Sequence, residues 1–277
     1  MRGRMTPEIP PANAAVTFGS DGETLLGVLH LPAGPGPHPV VVLLHGFPGH
    51  ERNFDLAQHL RRAGYAALVF HYRGSWGVGG SWAWATALED AARVAAAVRE
   101  PGFAAAHRLD PDRLALAGHS FGGFAALTTA AGDAGIHAVA SVSAFDFGSV
   151  AAACREDAAL RAAYVEGFGD DLLPLRGTSG AALVDEMVAA GDVWRLSALA
   201  PKLADRPVLL VGTAGRDTVT PAAEHHDPVV AAYTAHPVPR LEHRVFVTDH
   251  ALSDHRLELA ETVRDFLDRH VGCRMGR

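Results

Sequence analysis

At 277 residues the chain is long enough to bury a sizeable core in one or two domains, so it needs no disulfide or metal staple. Its 24 Lys and Arg against 31 Asp and Glu leave a formal charge of −7. That charge lacks the cationic footprint of a phosphate-backbone binder and excludes nucleic acid as an expected partner.

Two cysteines, Cys154 and Cys273, fit neither C-x-x-C nor zinc spacing and make no disulfide framework, which is compatible with a reducing compartment. The start, M-R-G-R-M-T-P-E-I-P-P, is basic but runs straight into prolines, without the apolar stretch of a secretory signal. The longest apolar run near it, 40–44, is far too short to cross a bilayer. The expected setting is the cytoplasm, away from membranes.

In chain order, 24–31 reads as a strand, followed by the breaker-rich loop P-A-G-P-G-P-H-P. Residues 40–44 form a continuous apolar run of the kind buried on both faces of a parallel sheet. The pattern repeats at 65–71, 113–117, 136–142, 207–212 and 244–248. Between these lie helical periods. In 87–99 the apolar face is Leu88, Ala91, Ala95 and Val98, with Glu89 and Arg93 opposite. In 253–270 it includes Leu259, Val263 and Phe266, with Ser253 as the expected N-cap. Strand–helix alternation predicts an α/β fold, a parallel sheet with helices on both faces. The segment 148–201 breaks the alternation. It carries helical stretches at 158–166 and 181–190, with G-F-G-D-D and R-G-T-S-G expected as loops and hinges, and reads as a helical cap inserted into a single domain.

The sharpest motif is Gly118-His119-Ser120-Phe121-Gly122, directly after the apolar run 113–117 and before a helical stretch. It satisfies G-x-S-x-G in a strand–turn–helix setting, where small residues allow a strained elbow that lifts the serine hydroxyl clear of the sheet. The bland reading is a glycine-rich turn with a capping serine; the setting favours Ser120 as nucleophile. A serine needs a base, expected downstream with the acid between them. Of 16 histidines, His250 follows the last strand and precedes the final helix. His255 is a distant second, inside the first turn of that helix, and His243 lies within the strand. His225 and His226 read as surface residues. Asp217, after strand 207–212, and Asp146, after strand 136–142, both compete to orient His250, and chain order favours Asp217. Asp249 is too close in sequence for an easy side-chain bond to His250. The turn His45-Gly46-Phe47-Pro48-Gly49 follows strand 40–44. It is expected to offer the Phe47 N–H, which with the N–H of Phe121 would bind an oxyanion.

With these motifs in place, the chain resembles the α/β-hydrolases from near its start to Val271. Tyr72-Arg73-Gly74-Ser75-Trp76-Gly77 further resembles the Y-R-G-S-x-G turn of prolyl-oligopeptidase-like and dienelactone-hydrolase-like members. The resemblance implies a mostly parallel sheet of about eight strands, a triad of Ser120, Asp217 and His250, and an oxyanion hole at Phe47 and Phe121. No propeller precedes the domain, so a small acyl hydrolase fits better than a gated oligopeptidase. The expected activity is cleavage of a small-molecule carboxylic ester through an acyl-enzyme, with no cofactor and no metal. An amide or peptide hydrolase, or a non-catalytic binding protein on this fold, stays open as the alternative. His45 with His50, and His225 with His226, lack the H-E-x-x-H of a metal hydrolase. Dehalogenase chemistry would need Asp at the elbow. Trp76, Trp82, Trp84 and Trp194 are candidates for a pocket lining, although packing is the plainer role for each.

Overall fold

The computed structural model describes residues 9–272; Cys273 lies outside them. Its strands are β1 (Ala12–Ser20), β2 (Glu23–Leu31), β3 (His38–Leu44), β4 (Ala66–Phe70), β5 (Leu109–His119), β6 (Ile136–Val142), β7 (Val208–Gly215) and β8 (Leu241–Thr248). Its helices are α1 (Phe54–Arg62), α2 (Trp84–Ala97), α3 (Pro101–Ala106), α4 (Phe121–Gly132), α5 (Phe147–Glu156), α6 (Ala158–Asp170), α7 (Gly180–Ala190), α8 (Ala200–Leu203), α9 (Ala222–His225), α10 (Asp227–Ala235) and α11 (Arg256–His270). The strands form one eight-stranded sheet in the order β1-β2-β4-β3-β5-β6-β7-β8. The first two pairings are antiparallel and the remainder parallel.

The buried strands explain their own composition. All of β3 and β4 is buried, and successive side chains must serve opposite faces. Val40, Val42 and Leu44 therefore join one core with Phe121, Phe124 and Trp84. Val41 and Leu43 join the other with Leu56 of α1 and Val263 of α11. Strand β8 closes an edge and is largely exposed, including His243.

Several boundaries differ from the sequence expectation. Strand β1 is additional; its buried Val16, Phe18 and Ser20 alternate with exposed Thr17 and Gly19. The last helix begins at Arg256 with His255 at its N-cap, because the Ser253 N–H is held by Asp249 Oδ1 at 2.9 Å in the preceding turn. His225 and His226 are buried rather than on the surface. The G-F-G-D-D stretch is not a loop: α6 continues through Gly167 and Gly169 to Asp170.

Between β6 and β7 the chain carries only helices and turns. Helix α5 and the turns after α7 supply Val150, Ala151, Leu196 and Leu199 to the main core, whereas α6 buries no residue. Helix α7 is fastened to α2 by a polar clasp. The Glu186 carboxylate accepts the N–H groups of Trp84 at 2.9 Å and Ala85 at 2.6 Å. These are orphan donors of the first turn of α2, and the negative charge sits at the favourable end of its dipole.

The Tyr72–Ser75 turn is held by a buried ion pair. Arg73 Nε donates to Asp90 Oδ1 at 2.7 Å, Arg73 N–H donates to Asp90 Oδ2 at 2.7 Å, and Ser20 Oγ donates to Asp90 Oδ1 at 2.6 Å. Asp90 is fully buried, so removing it takes away the interior carboxylate that pairs with the guanidinium and leaves only the exposed carboxylates of Asp21 and Glu89. Asp90→Ala is expected to lower unfolding free energy by about 3–5 kcal/mol, measured by urea denaturation. A loss under about 1 kcal/mol would mean that Glu89 and Asp21, which also pair with Arg73, take over its role.

Candidate active site

The turn from β5 into α4 places Ser120 at φ 58° and ψ −122°, a left-handed conformation that costs a non-glycine residue free energy. Ser120 is 7% exposed and lines a cavity of about 580 Å³ that His250 also lines. The glycines permit this sharp approach. A Cβ on Gly118 would stand 1.9 Å from the carbonyl oxygen of Gly122, and one on Gly122 would stand 1.9 Å from that of Leu44. Helix α4 thus rests on the backbone of β3 with no room for a side chain.

His250 follows β8, and its Nδ1 lies 3.0 Å from Asp217 Oδ2. Asp217 follows β7, and its carboxylate is almost saturated with donors. Val219 N–H and Thr220 N–H reach Oδ1 at 2.8 and 2.9 Å. The hydroxyls of Thr220 (2.9 Å) and Thr213 donate to Oδ2. Burial alone would raise the carboxyl pKa, but the hydrogen bonds from His250, Thr213 and Thr220 outweigh it and hold Asp217 well below the usual carboxylate range. It is therefore ionised throughout the neutral range. Asp146 sits elsewhere, as the N-cap of α5: its carboxylate accepts Ser149 Oγ at 2.8 Å, Ser149 N–H at 3.3 Å and Leu196 N–H at 3.2 Å. His255 turns its Nδ1 to Glu258 Oε2 at 2.5 Å.

The turn after β3 presses on the elbow. A Cβ on Gly46 would lie 2.9 Å from Ser120 Cβ. His45 Nδ1 donates to the Gly46 carbonyl at 2.8 Å. Carbonyl and N–H point in opposite directions across a trans peptide, so this bond turns the Phe47 N–H away from the His45 ring. Phe121 is the first residue of α4, where a helix offers no internal acceptor for the N–H. Phe47 and Phe121 both line the cavity with Ser120.

Four residues at this site carry roles that sequence reasoning misses. His119 Nε2 donates to the backbone carbonyl of His250 at 2.7 Å, and the two rings stand 4.8 Å apart. Burial pushes His119 down to about 3, and burial does the same to His45, so both are neutral and can serve as fixed props. No local signal could pair His119 with a carbonyl 131 residues away. Only Thr220 lies where sequence gives a signal. An Asp that opens a turn captures the N–H groups two and three residues on, which D-T-V-T at 217–220 supplies.

Residues 41–271 match the alpha/beta hydrolase family. The chain belongs to that family. No curated protein sequence matches the chain. In structure this hydrolase is similar to an esterase of Pyrococcus furiosus, at 17% identity and TM-score 0.67 over 95% of this chain and 92% of the other. It is similar also to Est1E from Butyrivibrio proteoclasticus, at 20% identity and TM-score 0.65 over 94% and 99%. A puromycin-hydrolyzing peptidase of Mycobacterium tuberculosis matches at 20% identity and TM-score 0.69, over 95% of this chain but 40% of that one. At such identities the likeness is one of fold. The eight-stranded, mostly parallel sheet with flanking helices is the architecture that the sequence leads one to expect. Among the described residues, no helix is long and apolar enough to cross a membrane.

Proposed function

We propose that this hydrolase cleaves a small-molecule carboxylic ester through an acyl-enzyme on Ser120. The observation that carries the reading is the shared cavity: a strained serine at a β–α elbow and a histidine backed by a buried carboxylate line the same space. In this reading Ser120 Oγ attacks the ester carbonyl while His250 Nε2 takes the hydroxyl proton. The resulting oxyanion is bound by the N–H groups of Phe47 and Phe121. The tetrahedral species collapses with His250 returning the proton to the departing alcohol. Water then repeats the sequence on the acyl-enzyme, releasing the acid and restoring Ser120. Asp217 holds the proton of His250 on Nδ1 and stabilises the imidazolium without itself becoming protonated. His119 and His45 act as positioning residues for His250 and for the oxyanion turn.

Helix α6 supplies Leu160, Ala163, Tyr164 and Phe168 to the cavity and has no fully buried residue, only partly buried side chains against the main core. Within 148–201 it is the part best suited to cap the acyl group and exclude water, with α7 as its anchor on α2. The ester reading is preferred to amide hydrolysis because the Pyrococcus furiosus esterase is matched over nearly the full length of both chains, whereas the peptidase is matched over only part of its length.

A fluorophosphonate probe is expected to label the protein at Ser120, as mapped by peptide mass spectrometry, with labelling lost in Ser120→Ala. Labelling that persists in that variant would remove Ser120 as nucleophile. Turnover of aminoacyl anilides exceeding that of the matched p-nitrophenyl esters would move the substrate from ester to amide.

A further inference from the structure

The cavity over Ser120 is walled by aromatic rings in continuous contact. Of the 12 Phe, 4 Trp and 4 Tyr of the chain, seven line this one cavity. The Phe47 ring stands 5.1 Å from that of Trp84 and 5.4 Å from that of Phe168. Trp84 stands 4.8 Å from Phe147. Phe145 continues the wall, 4.7 Å from Phe147 and 5.9 Å from Tyr164. Most of the rings meet steeply, as at 85° between Phe145 and Tyr164 and 70° between Phe47 and Phe168, while Trp84 with Phe121 and Tyr164 with Phe168 are tilted at 38° and 42°. Such a herringbone presents ring edges beside ring faces, which is the arrangement that an incoming aromatic ring completes best.

The wall draws on five separate parts of the chain: the turn after β3, the start of α2, the start of α4, the β6–α5 junction and α6. Trp84, Phe121, Phe145 and Phe147 also belong to the buried core, whereas Phe47, Tyr164 and Phe168 are only partly buried and are the rings of the wall with surface left to offer a ligand. The charges narrow the choice of ligand. Glu51 and Asp171 stand in the lining, and among the described residues that line it none is Lys or Arg. A carboxylate on the ligand would lose its hydration without gaining a cationic partner.

We infer that this cavity recognises an uncharged aryl group, so that the substrate is an aryl-bearing ester in preference to a saturated or anionic one. The term ester rests on the serine-hydrolase reading above; the aryl preference rests on the wall alone. Methyl phenylacetate and methyl cyclohexylacetate separate the two contributions, because the saturated ring is at least as apolar and differs chiefly in lacking a π face. Binding of both to the Ser120→Ala protein is measured by isothermal titration calorimetry, and kcat/KM of both is measured with wild type in a pH-stat.

The phenyl ester is expected to bind about fivefold more tightly, the scale of one favourable aromatic contact beyond area burial. The para-carboxyphenyl analogue is expected to bind at least about tenfold more weakly than the phenyl ester. Phe168 is only half-buried, so Phe168→Leu is expected to fold and to bring the phenyl-to-cyclohexyl ratio close to one. Equal or reversed affinities for the two rings, or a ratio that Phe168→Leu leaves unchanged, would overturn the aryl inference whatever the turnover. Tighter phenyl binding with no turnover of either ester by wild type would uphold the aryl site and sink the esterase reading instead.

Discussion

Replacing Ser120 with alanine is expected to lower kcat by on the order of 10⁶, leaving the residual rate that binding and oxyanion stabilisation provide. In the proposed mechanism the magnitude follows from the cooperative action of nucleophile and base: once the hydroxyl is absent, His250 has nothing to deprotonate except water. The fold is expected to survive, since Ser120 contributes no side-chain cap to α4 and alanine inherits the same backbone strain. Glycine at this position separates the chemical loss from the structural one. At φ 58° and ψ −122° a glycine escapes a strain of about 1–3 kcal/mol, against an entropic cost of roughly 0.5–1 kcal/mol for its looser unfolded chain. Ser120→Gly should therefore be as inactive as the alanine variant, yet unfold at a temperature equal to or above that of wild type. A clear fall in its Tm would mean that the elbow stores no strain. Activity retained in either variant would mean that Ser120 is not the nucleophile.

Much of this protein is readable before its structure, for physical reasons that differ from element to element. Runs such as 40–44 announce themselves because a central parallel strand is buried on both faces and must be apolar throughout. Strand β1 is hidden because it is amphipathic and rich in alanine, whose small side chain weakens the alternation of Val16, Phe18 and Ser20. The elbow is readable because sterics leave almost no substitute for Gly118 and Gly122. The props of the site are not. His119, His45 and Thr213 act through bonds to backbone carbonyls or to one carboxylate, and residue type alone does not announce such a partnership. The G-F-G-D-D stretch misleads in the opposite direction. Two glycines suggest a hinge, but α6 tolerates Gly167 and Gly169 where open space surrounds them, at a propensity cost of about 1 kcal/mol each. Of the tryptophans that sequence offers as pocket lining only Trp84 lines the cavity, and the rest of the aromatic wall is invisible because its rings are scattered from Phe47 to Phe168 and only the fold gathers them.

Asp217→Asn is expected to lower kcat by about 10⁴, and the hydrogen bonds around the carboxylate explain why an isosteric change should be so damaging. Oδ1 accepts two backbone N–H groups, from Val219 and Thr220, which cannot rotate away. The amide of an asparagine must therefore place its oxygen there and its NH₂ in the position of Oδ2, which faces His250 Nδ1 at 3.0 Å. An NH₂ in that place donates to Nδ1, which drives the imidazole proton onto Nε2 and leaves no lone pair to accept the proton of Ser120. One of the threonine hydroxyls can turn to accept the remaining amide N–H and the other loses its partner on the side chain, so the fold should lose about 1 kcal/mol. Asp146→Asn is the matched control. That carboxylate caps α5 and bonds to Leu196 N–H, and asparagine is nearly as good an N-cap as aspartate, so a stability loss of about 1 kcal/mol or less is expected, with kcat nearly unchanged. Measured side by side on one ester, the two variants should differ in kcat by at least about 10³. If Asp146→Asn proved the more damaging to kcat, the triad reading of Asp217 would fail despite its contact with His250.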